Sequence, residues 1–197
     1  PLDFGDNSNP VELLNIALSD RIPSILVTAF SLKNARGEQI GTRVLSKGGN
    51  TFGKIETLDP GLSEKIQLEI NDTTENRSST IKQYPDSEEI WVFYEAINPP
   101  IRILLFGAGN DTMPVAKLAS LMGWELTLID GRKNHATTER FPSASKIIIE
   151  PADRAVSGLN PDKNTVALLM THNFDYEAVV LKDLMLHELP YIGILGP

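Results

Sequence analysis

The sequence predicts an α/β protein: a Rossmann-like parallel-sheet domain preceded by a smaller mixed α+β domain. Three observations carry this. Residues 101–130 (IRILLFGAGNDTMPVAKLASLMGWELTLID) read as strand, glycine turn, helix, strand. Beyond them, strand-like and helix-like segments keep alternating, the rhythm of a doubly wound parallel sheet. Before them, Asn98-Pro99-Pro100 interrupts the pattern. Two prolines neither extend a helix nor donate to a ladder, so the boundary falls there, giving domains 1–98 and 99–197.

In chain order, Asn9-Pro10-Val11-Glu12 is a helix start: Asn9 caps, Pro10 takes the first turn and Glu12 reaches back. That helix ends near Asp20. Strands are expected over 24–32 and 39–46, then a turn at Lys47-Gly48-Gly49-Asn50 and a short strand over 51–55. Asp59-Pro60 opens a helix with Leu62, Ile66, Leu68 and Ile70 as its apolar residues. The polar run 71–79 (NDTTENRSS) reads as a surface loop. Residues 87–97 hold a strand with Trp91 and Phe93 on one face and Val92 and Tyr94 on the other.

The second domain opens with the apolar run 101–106, which suits a strand buried on both faces. Gly107 permits a tight exit, and Gly109 lets backbone approach a pyrophosphate with no side chain in the way. The following helix, about 111–122 and capped by Asp111, aims its free N–H groups and positive dipole end at the same spot. Thr112 stands where the fingerprint usually has Gly or Ala. Asp130 ends the next strand 23 residues after Gly107, about where such units keep a ribose-binding carboxylate.

Further strands are expected over 146–149, 165–170 and 191–195, with a turn segment at 137–141 and a short crossover at 152–157. A helix capped by Asp175 runs to about Glu188, with Val180, Leu184 and His187 along one stripe. The chain stops at Gly196-Pro197 where another helix would be expected, so a fragment or a further tail is expected.

Composition excludes several function classes. Of 197 residues, 18 are basic and 26 acidic, and the net charge of −8 disfavours a nucleic-acid partner. The absence of cysteine removes disulfides, thiolate zinc sites, cysteine nucleophiles and a persulfide relay on these residues. No apolar run reaches membrane-span length and the start lacks a signal pattern, so a cytoplasmic protein is expected.

Ligands of an open parallel sheet sit beyond its strands' carboxyl ends near the switch point. Gly107, Gly109 and Asn110 fall there, as do Asp130 and Arg132, the cluster Thr171-His172-Asn173, and Gly193 and Gly196 around the last strand. Asp130 suits a ribose diol and Arg132 a bidentate phosphate contact, or else Asp130 caps the next turn and Arg132 is solvated. NAD-like, NADP-like and pterin-dinucleotide ligands all stay open. His172, one of three histidines, suits a phosphate donor, an acid or base, or a ligand, or else it bonds its own loop. His135 follows Asp130, but two histidines without an acid cluster make no metal site. His187 reads as a dipole partner late in its helix. No serine sits in a nucleophile elbow.

Several segments together resemble the XdhC/CoxI family, accessory factors of xanthine dehydrogenase and related molybdenum hydroxylases. The carrying stretches are 99–132 (PPIRILLFGAGNDTMPVAKLASLMGWELTLIDGR), 139–149 (ERFPSASKIII), 170–184 (MTHNFDYEAVVLKDL) and 191–197 (YIGILGP), with 26–55 as a weaker N-terminal match. Two departures stand out: Glu56-Thr57-Leu58-Asp59 replaces a glycine-rich, often cysteine-containing turn, and Asn110 stands where histidine is common. The resemblance implies a chaperone rather than a catalyst. Such a protein holds molybdenum cofactor (molybdopterin) as cargo, assists its sulfuration with a cysteine desulfurase, and delivers it to a xanthine dehydrogenase-type hydroxylase, acting as a homodimer. By position, Gly107, Gly109 and Asn110 would cradle phosphate near Asp130 and Arg132, with Thr171, His172 and Asn173 on the opposite wall. The alternatives are an NAD(P)-dependent oxidoreductase using His172 as proton donor, and a degenerate interaction module that kept the fold and lost the ligand.

Overall fold

The computed structural model describes residues 9–33, 39–53, 60–84 and 90–196, and the chain divides into two units, Pro1–Pro99 and Pro100–Pro197. The first unit runs α1 (Pro10–Leu18), β1 (Ser24–Ser31), β2 (Gly41–Lys47), β3 (Asn50–Gly53), α2 (Pro60–Asn76), β4 (Thr80–Tyr84) and β5 (Ile90–Ile97). Its strands form an antiparallel sheet in the order β3-β2-β1-β5-β4. Residues 54–59 and 87–89, which carry the end of one expected strand, the altered turn with its Asp59 cap, and the start of another strand, lie outside the described residues, as does Pro197.

Period-two alternation sends the β1 side chains to two helices. Ile25, Val27 and Ala29 pack with Val92, Tyr94 and the Leu62–Ile66–Ile70 stripe of α2. Leu26 turns the other way, toward Leu45 and the Leu13 and Ala17 face of α1. Asn9 caps α1 as expected, its side chain accepting the Val11 N–H at 2.9 Å. The far end of α1 is closed by Lys47, a buried lysine whose ammonium donates to the carbonyls of Ile16 and Ala17 and meets Asp20 at 3.0 Å. A cation on orphan carbonyls at the negative end of a helix is favourable twice over.

The polar run 71–79 is not a loop. Helix α2 continues to Asn76, because Thr73 extends the buried stripe at helical spacing and the Thr74 hydroxyl donates back to Ile70 O at 2.7 Å. Strand β4 follows directly. Its edge position leaves its middle residues exposed and erases the alternation that would mark it.

The second unit runs β6 (Arg102–Phe106), α3 (Thr112–Leu121), β7 (Glu125–Ile129), β8 (Lys146–Ile148), β9 (Thr165–Leu169), α4 (Phe174–Leu184) and β10 (Tyr191–Ile194). All five strands are parallel, in the order β10-β9-β6-β7-β8. The chain leaves β6 in one direction through β7 and β8, then returns to place β9 on the other side. The order therefore reverses between β6 and β9. One face packs Ile103, Leu105, Leu126 and Leu128 against Ala116 and Ala119 of α3 and Phe141. The other packs Leu104, Phe106, Ile129, Ala167 and Leu169 against Val180 and Leu184 of α4 and a turn segment around Val156. Each such Leu, Ile or Phe contributes about 1.5–3 kcal/mol of burial.

Two expectations about α4 are corrected. Asn173, not Asp175, is its cap, accepting the Tyr176 N–H at 3.1 Å, while Asp175 sits in the first turn. The helix ends at Leu184 rather than near Glu188, because Met185 and Leu186 break the buried stripe and Pro190 bars helical continuation. His187 accordingly lies in the turn beyond the helix and is not a residue of its last turn.

Candidate functional site

The carboxyl ends of β6, β7 and β9 converge on the glycine turn. Gly107 has φ +116°, and a Cβ there would lie 2.3 Å from Met170 O. Only glycine fits, and the contact fixes the turn against the exit of β9. The Gly107 N–H donates to Ile129 O at 2.8 Å, and the Ala108 N–H to Asp130 Oδ2 at 2.7 Å. Those two amides are spent. The N–H groups of Gly109 and Asn110 have no partner among the described residues, and they immediately precede α3. Thr112, buried at the third fingerprint position, donates its hydroxyl to Gly109 O at 2.8 Å and so stiffens the loop from below.

Asp130 faces this turn but is occupied by the protein itself. Oδ1 accepts the Arg132 N–H (2.7 Å) and Nε (3.0 Å), while Oδ2 accepts Ala108 N–H and Arg132 Nη2 (2.7 Å). A carboxylate offers about four acceptor positions, and these four bonds fill them. Burial works to raise the Asp130 pKa. The Arg132 side chain and the two backbone N–H donors outweigh it and hold the group below the usual carboxylate range. The same hydrogen bond to Asp130 pushes the Arg132 guanidinium up. Asp130 does cap the next turn, yet Arg132 is clamped on it rather than simply solvated.

Across the turn, the Thr171-His172-Asn173 cluster is held from both sides. The buried carboxylate of Glu177 accepts both the N–H and the hydroxyl of Thr171 at 2.8 Å. Asn173 is committed to capping α4. Between them His172 adopts φ +54°, a left-handed conformation that is costly for a residue with a Cβ. Its Nε2 lies 2.9 Å from Asp111 Oδ2. Asp111 occupies the N-cap position of α3, but its side chain makes no capping hydrogen bond, so the expected cap is corrected. The carboxylate is spent on His172 instead, and that bond draws its pKa down.

Arg140 is a functional candidate that sequence reasoning missed. Its guanidinium donates to Ala108 O (2.8 Å), His135 O (2.7 Å) and Asn110 Oδ1 (2.8 Å), bracing the turn from the far side. Its only sequence signal was its place in the Arg-Phe-Pro triplet of 139–149. Glu177 was missed too, although a carboxylate in the first turn after the Thr-His-Asn cluster is a usable cue. Thr171, Asn173, Asp130, Gly131, Arg132 and Tyr176 line a small polar cavity of about 120 Å³. Burial, with Asp130 and Glu150 nearby, raises the Tyr176 hydroxyl to about 12.

The structure thus brings Gly107, Gly109, Asn110, Asp130, Arg132, Thr171, His172 and Asn173 to one edge. Gly193 and Gly196 stay on the outer strand. Gly193 pairs with Leu168 inside β10, where a Cβ would crowd Leu168 and Tyr191 at 3.0 Å, and Gly196 follows the strand's end. His135 and His187 are exposed on separate turns. Among the described residues no cluster of three His, Cys, Asp or Glu side chains could hold a metal ion, and no helix is long and apolar enough to cross a membrane.

A family model described as the XdhC Rossmann domain matches residues 103–197. Over 105 residues the chain is 31% identical to a probable xanthine dehydrogenase subunit of Bacillus subtilis (strain 168), a stretch covering 53% of this chain and 32% of that protein. Over 96 residues it is 28% identical to the uncharacterized protein YqeB of Escherichia coli (strain K12), covering 48% of this chain and 17% of that one. The chain therefore spans about a third or less of the length of these curated relatives. Among solved structures, a xanthine dehydrogenase from Bacillus halodurans superposes with a TM-score of 0.49 at 19% identity, over 98% of this chain and 81% of that one.

Proposed function

Because residues 103–197 belong to the XdhC Rossmann domain family, we propose that this chain is an accessory factor in the maturation of a xanthine dehydrogenase-type molybdenum hydroxylase. Its task on this reading is to bind molybdenum cofactor, present it for sulfuration and pass it to the apo-hydroxylase. The observation that carries the reading is the pair of Gly109 and Asn110 amides that have no partner among the described residues, at the N-terminus of α3 and beside the point where strand order reverses. Such a turn suits the phosphate of a pterin. His172 on the facing wall supplies a side-chain donor in its protonated form, or in the tautomer carrying hydrogen on Nε2.

The oxidoreductase alternative loses its main support. A dinucleotide would need Asp130 for its ribose diol, and all four acceptor positions of that carboxylate are filled by Ala108 and Arg132. A ligand anchored by phosphate alone makes no such demand.

The partners that follow are a molybdenum hydroxylase and a cysteine desulfurase. On this reading the second hands sulfur to the bound cofactor directly, because these 197 residues contain no cysteine to relay it. A homodimer in the cytoplasm completes the proposal. The test is retention: purified protein mixed with molybdenum cofactor should carry it through a sizing column, and mass spectrometry should find pterin in the protein peak. No pterin there, while a known carrier retains it in parallel, would overturn the reading.

A further inference from the structure

The carboxylate of Asp111 lies across the same turn. A Cβ built on Gly109 would fall 2.3 Å from Asp111 Oδ1, so that oxygen covers the side of Gly109 that its missing side chain leaves open. The second oxygen meets His172 Nε2 at 2.9 Å. An anion belonging to the protein thus lies against the turn that an incoming anion would have to approach.

We propose that Asp111 is a self-blocking latch: paired with His172 it closes the glycine turn, and a phosphate-bearing ligand binds by displacing the carboxylate and taking over the His172 donor. This rests on reading the turn as an anion site. Three features separate the pair from ordinary surface chemistry. Asp111 can leave at modest cost, being 39% exposed, making no capping bond and holding, besides His172, only its own N–H and that of Thr112 among the described residues. His172 is not free to leave, because Glu177 pins Thr171, Asn173 caps α4, and the left-handed backbone between them is held from both ends. The neighbouring amides of Gly109 and Asn110 are without partners among the described residues and are available to an anion that takes the carboxylate's place.

Two negative groups cannot share one small space at short range, so occupancy becomes an exchange of one anion for another. Such an exchange lowers the affinity for cargo and gives the turn a ready group to reclaim it on release. The closed and open states differ by rotation of one exposed side chain, which keeps the exchange fast.

The test is a ³¹P NMR titration of the full chain with inorganic pyrophosphate, comparing wild type with Asp111→Ala and the isosteric Asp111→Asn. Both variants are expected to bind pyrophosphate more tightly, Asp111→Ala by about tenfold or more, since like-charge opposition at close range costs at least that factor. Adding His172→Ala to Asp111→Ala should take back most of the gain. If wild type binds and Asp111→Ala binds no better, the latch is overturned while the anion site stands. A gain that survives His172→Ala overturns the hand-over to His172. If neither wild type nor Asp111→Ala binds, the anion site itself is lost and the latch with it.

Discussion

Asp130 and Asp111 are two carboxylates at the mouth of one parallel sheet, and they are held in opposite ways. Asp130 is buried and tied by Ala108 and three donors of Arg132. Asp111 is exposed, and besides His172 its carboxylate meets only nearby backbone, its own N–H and that of Thr112, among the described residues. The first is a strut that fixes the turn to β7. The second is a removable cover on the β9 side. Burial and the number of committed donors decide which acid can yield to a ligand, since a buried carboxylate cannot abandon its partners without leaving them unpaired.

The strut side breaks most severely at its base. Gly107→Ala should destabilise the second unit by at least about 3 kcal/mol, because the methyl meets backbone at Met170 and the residue is held at positive φ. Urea unfolding followed by Trp124 fluorescence in a Trp91→Phe background reads this, as each unit carries one of the two tryptophans. Asp130→Asn should cost about 2–3 kcal/mol by the same measurement, the range for buried hydrogen bonds to a charged group. It should also alter the acid limb. The Asp130 pKa lies below its ordinary value of 3.8, so the stability it contributes is complete above that pH and is lost as pH falls through the lowered value. Asp130→Asn should flatten stability against pH below about 4 and leave the neutral slope unchanged.

On the facing wall, Glu177→Ala should cost about 1–2 kcal/mol by leaving the Thr171 N–H and hydroxyl without their acceptor. Glu177→Gln keeps one acceptor oxygen in place and should recover most of that loss. The contrast separates a positioning role from a need for charge. If Gln behaves like Ala, the negative charge of Glu177 matters to the wall in its own right.

How far this asymmetry was legible in the sequence depends on what each feature is made of. The turn, its flanking strands and its helix announce themselves through local pattern: an apolar run, two glycines, a helical period and an acid at the expected distance. Asp130 was visible as a position, yet nothing in Asp-Gly-Arg says that the guanidinium folds back onto the carboxylate. Asp111 read as a helix cap because caps are the common use of Asp there, and its real partner lies 61 residues along the chain. Arg140 reaches Ala108 and Asn110 through space, from a segment whose sequence shows only a turn. Strand β4 and the last part of α2 escaped because their polar residues follow a pattern that only burial of Thr73 reveals. Asn173 and Asp175 are both good capping residues two positions apart, and the choice between them was made by where β9 ends.

The cover side should be nearly silent in stability. Asp111→Ala removes a contact with His172 whose side chains are 39% and 44% exposed, and exposed polar and charged pairs contribute about 0–1 kcal/mol. The same urea measurement on Trp124 should therefore place Asp111→Ala within about 1 kcal/mol of wild type, far from Asp130→Asn. Small as it is, this is the prediction that separates the two acids most cleanly. A loss as large as that of Asp130→Asn would mean that Asp111 is a second strut, so closely built into the turn that it could not be exchanged for a ligand at all. A negligible loss leaves the carboxylate resting on the turn by weak exposed contacts, with His172 held in its strained position by Thr171 and Asn173 whether or not Asp111 is there.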